Sequence, residues 1–120
     1  MSTFPVTIFH NPACSTSRKT LAMLRDAGYA PTVVEYLRTG WTRPQLEGLL
    51  KAMGAKPRDI LRDKEALAVE LGLAKASDAK ILDAMVAHPI LVNRPIVQTP
   101  KGARLGRPME AVLAVLDGEG

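Results

Sequence analysis

One cysteine, Cys14, stands in the run His10-Asn11-Pro12-Ala13-Cys14-Ser15-Thr16-Ser17-Arg18. A cysteine reacts as its thiolate, and a free thiol of pKa ~8.5 is only about a few per cent ionised at neutral pH. Lowering that pKa by about two units takes roughly 2.7 kcal/mol of selective stabilisation of the anion. A helix N-terminus supplies typically ~0.3–1 kcal/mol, and up to ~2 when partly buried. The rest must come from hydrogen bonds to the anion, worth about 1.5–3 kcal/mol each. Donors stand close by: the backbone N–H groups of Ser15 to Ser17, the side chains of Ser17 and Arg18 on the same helical face, and His10 at the end of the preceding segment. The alternative, a small buried hydrophobe, sits poorly with polar Asn11, Ser15, Thr16 and Ser17. The pattern predicts a reactive thiol.

A thiolate that attacks an oxyanion meets like-charge repulsion, so cations must hold the substrate. Arginine suits this, because its planar fork makes paired hydrogen bonds to tetrahedral oxyanions and keeps its charge. Arg94 and Arg107 each precede a proline, which restricts their backbones to extended conformations. Arg62 follows the apolar pair Ile60-Leu61. Arg25, Arg38, Arg43, Arg58 and Arg104 read as solvated surface charges.

The elements that must position these groups can be read in order. Val6-Thr7-Ile8-Phe9 is a buried strand by its β-branched and apolar content. The helix carrying Leu21, Met23, Leu24 and Ala27 ends at Gly28, so Cys14 falls at a strand-to-helix turn. Ala30 to Leu37 reads as a second strand, parallel to the first in a βαβ unit. Thr42-Arg43-Pro44-Gln45 fits a capping box, followed by Leu46, Leu49, Leu50 and Met53 on one face and by Gly54. A short helical turn follows Pro57. Asp63 caps a helix with Leu67 and Leu71, and Ser77 caps another with Ile81, Leu82, Met85 and Val86 inward until Pro89. Ile96 to Thr99 and Ala103 to Leu105 form a hairpin across Pro100-Lys101-Gly102. A last helix turns Val112, Val115 and Leu116 inward, and Gly118 to Gly120 fray. The expected whole is an α/β domain over residues 1–120: a mixed four-stranded sheet with helices on its faces and a helical insertion at about 42–88.

Composition bounds the function. With 47% hydrophobic and 23% charged residues the chain is ordinary globular protein. It shows no apolar run of bilayer length and no secretory leader, so no membrane partner is expected. One cysteine cannot make an internal disulfide, which points to the reducing cytoplasm. The net charge of +4 is scattered and aromatic residues are 4%, which argues against a nucleic-acid partner. No metal site is expected.

Taken together, His10-Asn11-Pro12-Ala13-Cys14-x-x-Ser17-Arg18, Ile60-Leu61-Arg62, His88-Pro89-Ile90-Leu91-Val92-Asn93-Arg94-Pro95-Ile96-Val97 and Gly106-Arg107-Pro108 resemble the glutaredoxin-dependent arsenate reductases, nearly end to end. The resemblance implies a thioredoxin-like fold and a cis-proline at Pro95. It implies Cys14 as nucleophile, His10 and Ser17 as residues tuning its thiolate, and Asn11, Arg62, Arg94 and Arg107 as ligands of the oxyanion. It further implies arsenate as substrate, glutathione as co-substrate, glutaredoxin as partner, and no bound cofactor. Longer members of that family continue past the position of Gly120. Two rivals share the fold. A glutathione-dependent thiol oxidoreductase with another substrate shares the Arg-Pro block but not the full run around Cys14. A non-enzymatic Spx-like regulator uses a C-x-x-C switch, which Cys14-Ser15-Thr16-Ser17 cannot form. The phosphatase-like arsenate reductases need C-x5-R, and the residue six past Cys14 is Thr20.

Overall fold

The computed structural model describes residues 4–117, and the predicted fraying of Gly118 to Gly120 lies outside them. The chain forms two compact units, residues 1–36 with 94–120 and residues 37–93. The expected insertion at 42–88 falls inside the second.

The first unit is built on a four-stranded sheet of order β2-β1-β3-β4. β1 (Thr7–Phe9) pairs in parallel with β2 (Thr32–Val34) and antiparallel with β3 (Ile96–Thr99), which pairs antiparallel with β4 (Gly102–Leu105). Between β1 and β2 runs α1 (Ser15–Asp26). Val6, Ile8, Leu24, Tyr29, Val97, Val112, Val115 and Leu116 close one core, each large aliphatic side chain contributing about 1.5–3 kcal/mol when fully buried. Central β3 is buried at Ile96 and Val97, as a strand paired on both edges should be. β2 is shorter than the predicted Ala30 to Leu37. It is an edge strand with Thr32 and Val33 exposed, and the chain turns at once into α2 (Tyr36–Thr39), a single turn that buries Tyr36 and leaves Leu37 outside.

The second unit carries α3 (Arg43–Met53), α4 (Ala66–Glu70) and α5 (Asp78–Ala87) with three short 3₁₀ turns. α3 has the predicted capping box and ends at Gly54, whose φ of 65° is open to glycine at little cost. Ser77 Oγ accepts from Lys80 N at the head of α5. Leu46, Leu49, Ile81, Leu82 and Met85 face inward as expected. α4 departs from expectation: its N-cap is Glu65, not Asp63, and Leu71 is exposed while Leu73 is buried. The Gly72 turn moves the inward position two residues on. An isolated antiparallel bridge joins Leu61 to Val92, flanked by Arg62 N–H to Leu91 O at 2.8 Å and Asn93 N–H to Ile60 O at 2.7 Å.

The predicted last helix is a 3₁₀ helix, Met109–Val115. Its buried residues Val112 and Val115 are three apart, the spacing that a three-residue turn places on one face.

Candidate active site

β1 ends at Phe9 and the loop His10 to Ala13 delivers Cys14 to the N-cap of α1. Asn11 shapes that loop. It is buried, its side-chain oxygen accepts from Ala13 N at 2.9 Å, and its carbonyl accepts from Cys14 N at 3.0 Å. An asparagine turn of this kind replaces backbone pairing with local bonds. Expected on the oxyanion, Asn11 thus has its side-chain oxygen engaged in holding the cysteine loop. Arg18, expected among the donors to the thiol, instead gives Nη1 to the Pro12 carbonyl at 2.7 Å. The long side chain folds back onto the nearest carbonyl left open by the loop.

His10 and Ser17 are both buried, with His10 Nδ1 2.7 Å from Ser17 Oγ, which also accepts Asn11 N–H at 3.1 Å. Burial holds the His10 pKa below its ordinary value; the charge of Glu35 opposes this, and Arg25 and Arg18 add to it. The imidazole is therefore neutral at pH 7, a hydrogen-bonding wedge that fixes Ser17.

Cys14 is half-buried. Its side chain closes no capping bond of ordinary geometry, yet the first N–H groups of α1 still aim at the sulfur. Burial pushes the thiol up. The Ser17 N–H, the hydrogen bond and charge of Arg94, and the Thr16 N–H outweigh it, and the pKa falls below the ordinary thiol value. Ser17 thus reaches the sulfur through its backbone, and the His10 ring is bonded to the Ser17 side chain.

Arg94 is buried at the start of β3, and Arg107 is exposed after β4. Arg107 Nη1 stands 4.0 Å from Cys14 Sγ and donates to the Arg94 carbonyl at 3.2 Å, so one guanidinium ties both strand ends to the sulfur. The peptide bonds Arg94–Pro95 and Arg107–Pro108 are both cis, the second outside any expectation from sequence. Gly106 N–H donates to Pro95 O at 2.8 Å, and a Cβ at 106 would lie 2.9 Å from Pro95 Cγ. A glycine is required for these two segments to approach so closely.

Arg62 belongs to the second unit, where Nη1 pairs with Glu65 at 3.2 Å. Sequence reasoning missed Lys19, Met109 and Glu110, which with Thr16, Arg107 and Pro108 line a cleft of about 310 Å³. Lys19 lay one residue beyond the motif, and Met109 and Glu110 carried no signal. Among the described residues no group of His, Cys, Asp and Glu is placed to hold a metal ion, and no helix is long and apolar enough to cross a membrane.

A mixed four-stranded sheet with a cysteine heading α1 and a cis-proline opening β3 is a thioredoxin-like fold, and an arsenate reductase from Vibrio cholerae superposes on it with a TM-score of 0.91. That structure is 43% identical, and the alignment covers 96% of this chain and all of that one. The family model of the ArsC family matches residues 9–115, and the chain belongs to that family. It is 55% identical over 114 residues to the arsenate reductase ArsI2 of Synechocystis sp., covering 93% of this chain and 81% of that protein. To the arsenate reductase of Escherichia coli (strain K12) it is 51% identical over 113 residues, covering 92% and 80%.

Proposed function

We propose that this chain is a cytoplasmic arsenate reductase that forms a Cys14 thiolate–arsenic adduct and draws electrons from glutathione and glutaredoxin. Membership of the ArsC family and relatives named arsenate reductase support the substrate. The observation that carries the mechanism is Cys14 Sγ at the head of α1, its pKa lowered and Arg107 Nη1 4.0 Å away.

Arsenate, like phosphate, carries close to two negative charges at neutral pH. Arg94 and Arg107 neutralise and orient it beside the sulfur. The Cys14 thiolate attacks arsenic, an S–As bond forms, and one oxygen leaves as water after taking up protons. Arsenic is still pentavalent. A glutathione thiolate then displaces a second arsenic-bound oxygen, which leaves as water, so that arsenic, still pentavalent, carries both sulfurs. As the two sulfurs bond to each other, the S–As electrons pass to arsenic, which leaves as arsenite. Two thiols lose two electrons and arsenic gains two. Cys14 is left in a mixed disulfide with glutathione. Ser17 stands where a C-x-x-C protein keeps its resolving cysteine, and the sequence holds one cysteine. A glutaredoxin thiol must therefore resolve the disulfide.

The test is arsenate-dependent oxidation of NADPH through glutathione, glutaredoxin and glutathione reductase. Activity in the native chain and its loss in Cys14→Ser, by at least about a thousandfold, is the expected result. NADPH oxidation that ignores arsenate would favour the thiol oxidoreductase with another substrate. No thiol turnover at all would favour the regulator.

A further inference from the structure

We infer that the cleft lined by Thr16, Lys19, Arg107, Pro108, Met109 and Glu110 seats the small thiol co-substrate, and that Lys19 and Glu110 recognise an amino-acid zwitterion on it. The inference rests on the reading above, in which a second thiol comes from outside. Arg107 belongs to both places: it lines the cleft and reaches Cys14 Sγ at 4.0 Å. Through Arg107 the cleft is linked to the sulfur that the second thiol must meet.

Its size, about 310 Å³, is at the low end of small-molecule pockets. Its charges decide the ligand class. Arsenate explains Arg107 but not Glu110, because a carboxylate in the wall repels a dianion. A ligand carrying both an ammonium and a carboxylate uses both signs, the ammonium on Glu110 and the carboxylate on Lys19. Both side chains are exposed, and among the described residues neither is ion-paired. Pro108 and Met109 supply apolar wall for the aliphatic stem between those charges and the thiol.

The probe is S-methylglutathione, which keeps the charges and cannot react, titrated calorimetrically into the native chain, Lys19→Glu, Glu110→Gln and the surface control Arg104→Ala. Lys19→Glu should weaken binding by about tenfold or more, and the glutathione KM should rise in step while the arsenate KM moves less than about twofold. N-acetylation of the probe, which removes its ammonium charge, should weaken binding to the native chain but not to Glu110→Gln. Arg104→Ala should bind as the native chain does. Equal affinities across Lys19→Glu and Glu110→Gln overturn the cleft assignment while leaving arsenate reduction standing. Failure of the native chain to form disulfide from any thiol in response to arsenate, whatever residue occupies position 19, overturns the functional reading and the inference with it.

Discussion

The two units bury different things. Among the described residues the buried polar and charged side chains are His10, Asn11, Ser17, Thr20, Arg94 and Thr99, all in the first unit. The second is filled by Leu46, Leu49, Leu50, Ile60, Leu73, Ile81, Leu82, Met85 and Leu91. Burying a polar group costs free energy unless it is hydrogen-bonded, so a core that holds a histidine, an asparagine and an arginine has been shaped by something other than stability. In the first unit Arg94 and the Ser17 N–H act on the one sulfur, while His10 and Asn11 hold the segment that carries it. In the second, burial serves packing.

If that contrast is right, substitutions in the two units should fail in different assays. Ile81→Ala removes a fully buried side chain from α5 and should lower unfolding free energy by about 2–5 kcal/mol in denaturant titrations. A cost under about 1 kcal/mol would mean the second unit is not packed as described. Arg94→Ala should show its largest effect in chemistry instead. It withdraws a hydrogen bond and a charge from the Cys14 thiolate, so the midpoint of alkylation rate against pH should rise, with arsenate-dependent kcat/KM falling about a hundredfold. Arg107→Ala should cut kcat/KM but move the alkylation midpoint less, since the Ser17 N–H, Arg94 and the Thr16 N–H lower the thiol pKa and Arg107 is not among its causes. Equal midpoint shifts would erase the division between the two arginines.

The same anion leaves a smaller mark on stability. A thiol whose pKa is lower folded than unfolded is deprotonated only in the native state between those two values. The unfolded chain then binds more protons, and stability rises with pH across that window. The native chain should therefore gain Tm over Cys14→Ser as pH climbs from the lowered pKa toward the ordinary thiol value near 8.5. A difference in Tm that is flat with pH would place an uncharged thiol at the head of α1.

How much of this could be read from sequence follows the same divide. The second unit's α3 announces itself, because a cap, an apolar stripe at 3.6-residue spacing and a terminal glycine all lie within one local segment, whereas α4 does not. α3 shows all of them between Thr42 and Gly54. The site's residue types were legible too, as Cys14, Arg94-Pro95 and Arg107-Pro108 stand out by neighbours alone. Their partners were not. Arg18 shares a helical face with Cys14 yet binds Pro12, since periodicity says nothing of an open carbonyl nearby. Lys19 and Glu110 lie 91 positions apart in numbering and line one cleft because the 3₁₀ helix packs beside α1. The edge strand β2 was overestimated because Tyr36 and Leu37 have strand-like side chains, whereas only three residues pair with β1.

The smallest test compares helix heads. At α3 Thr42 Oγ1 accepts from Gln45 N at 3.2 Å, and Gln45 Oε1 accepts from Thr42 N at 3.4 Å. At α5 Ser77 makes one such bond. At α1 the same position holds a sulfur, larger and a weaker acceptor than oxygen until it is ionised. Thr42→Ala should cost about 0.5–2 kcal/mol and leave thiol chemistry alone. Cys14→Ser places an oxygen cap on α1, so it should hold or slightly raise stability near pH 6 while abolishing reduction. A helix that grows firmer as its enzyme dies is the signature of an N-cap given over to chemistry. If Cys14→Ser instead cost as much at pH 6 as Thr42→Ala, the sulfur would be an ordinary cap, and the head of α1 would differ from that of α3 only in its element.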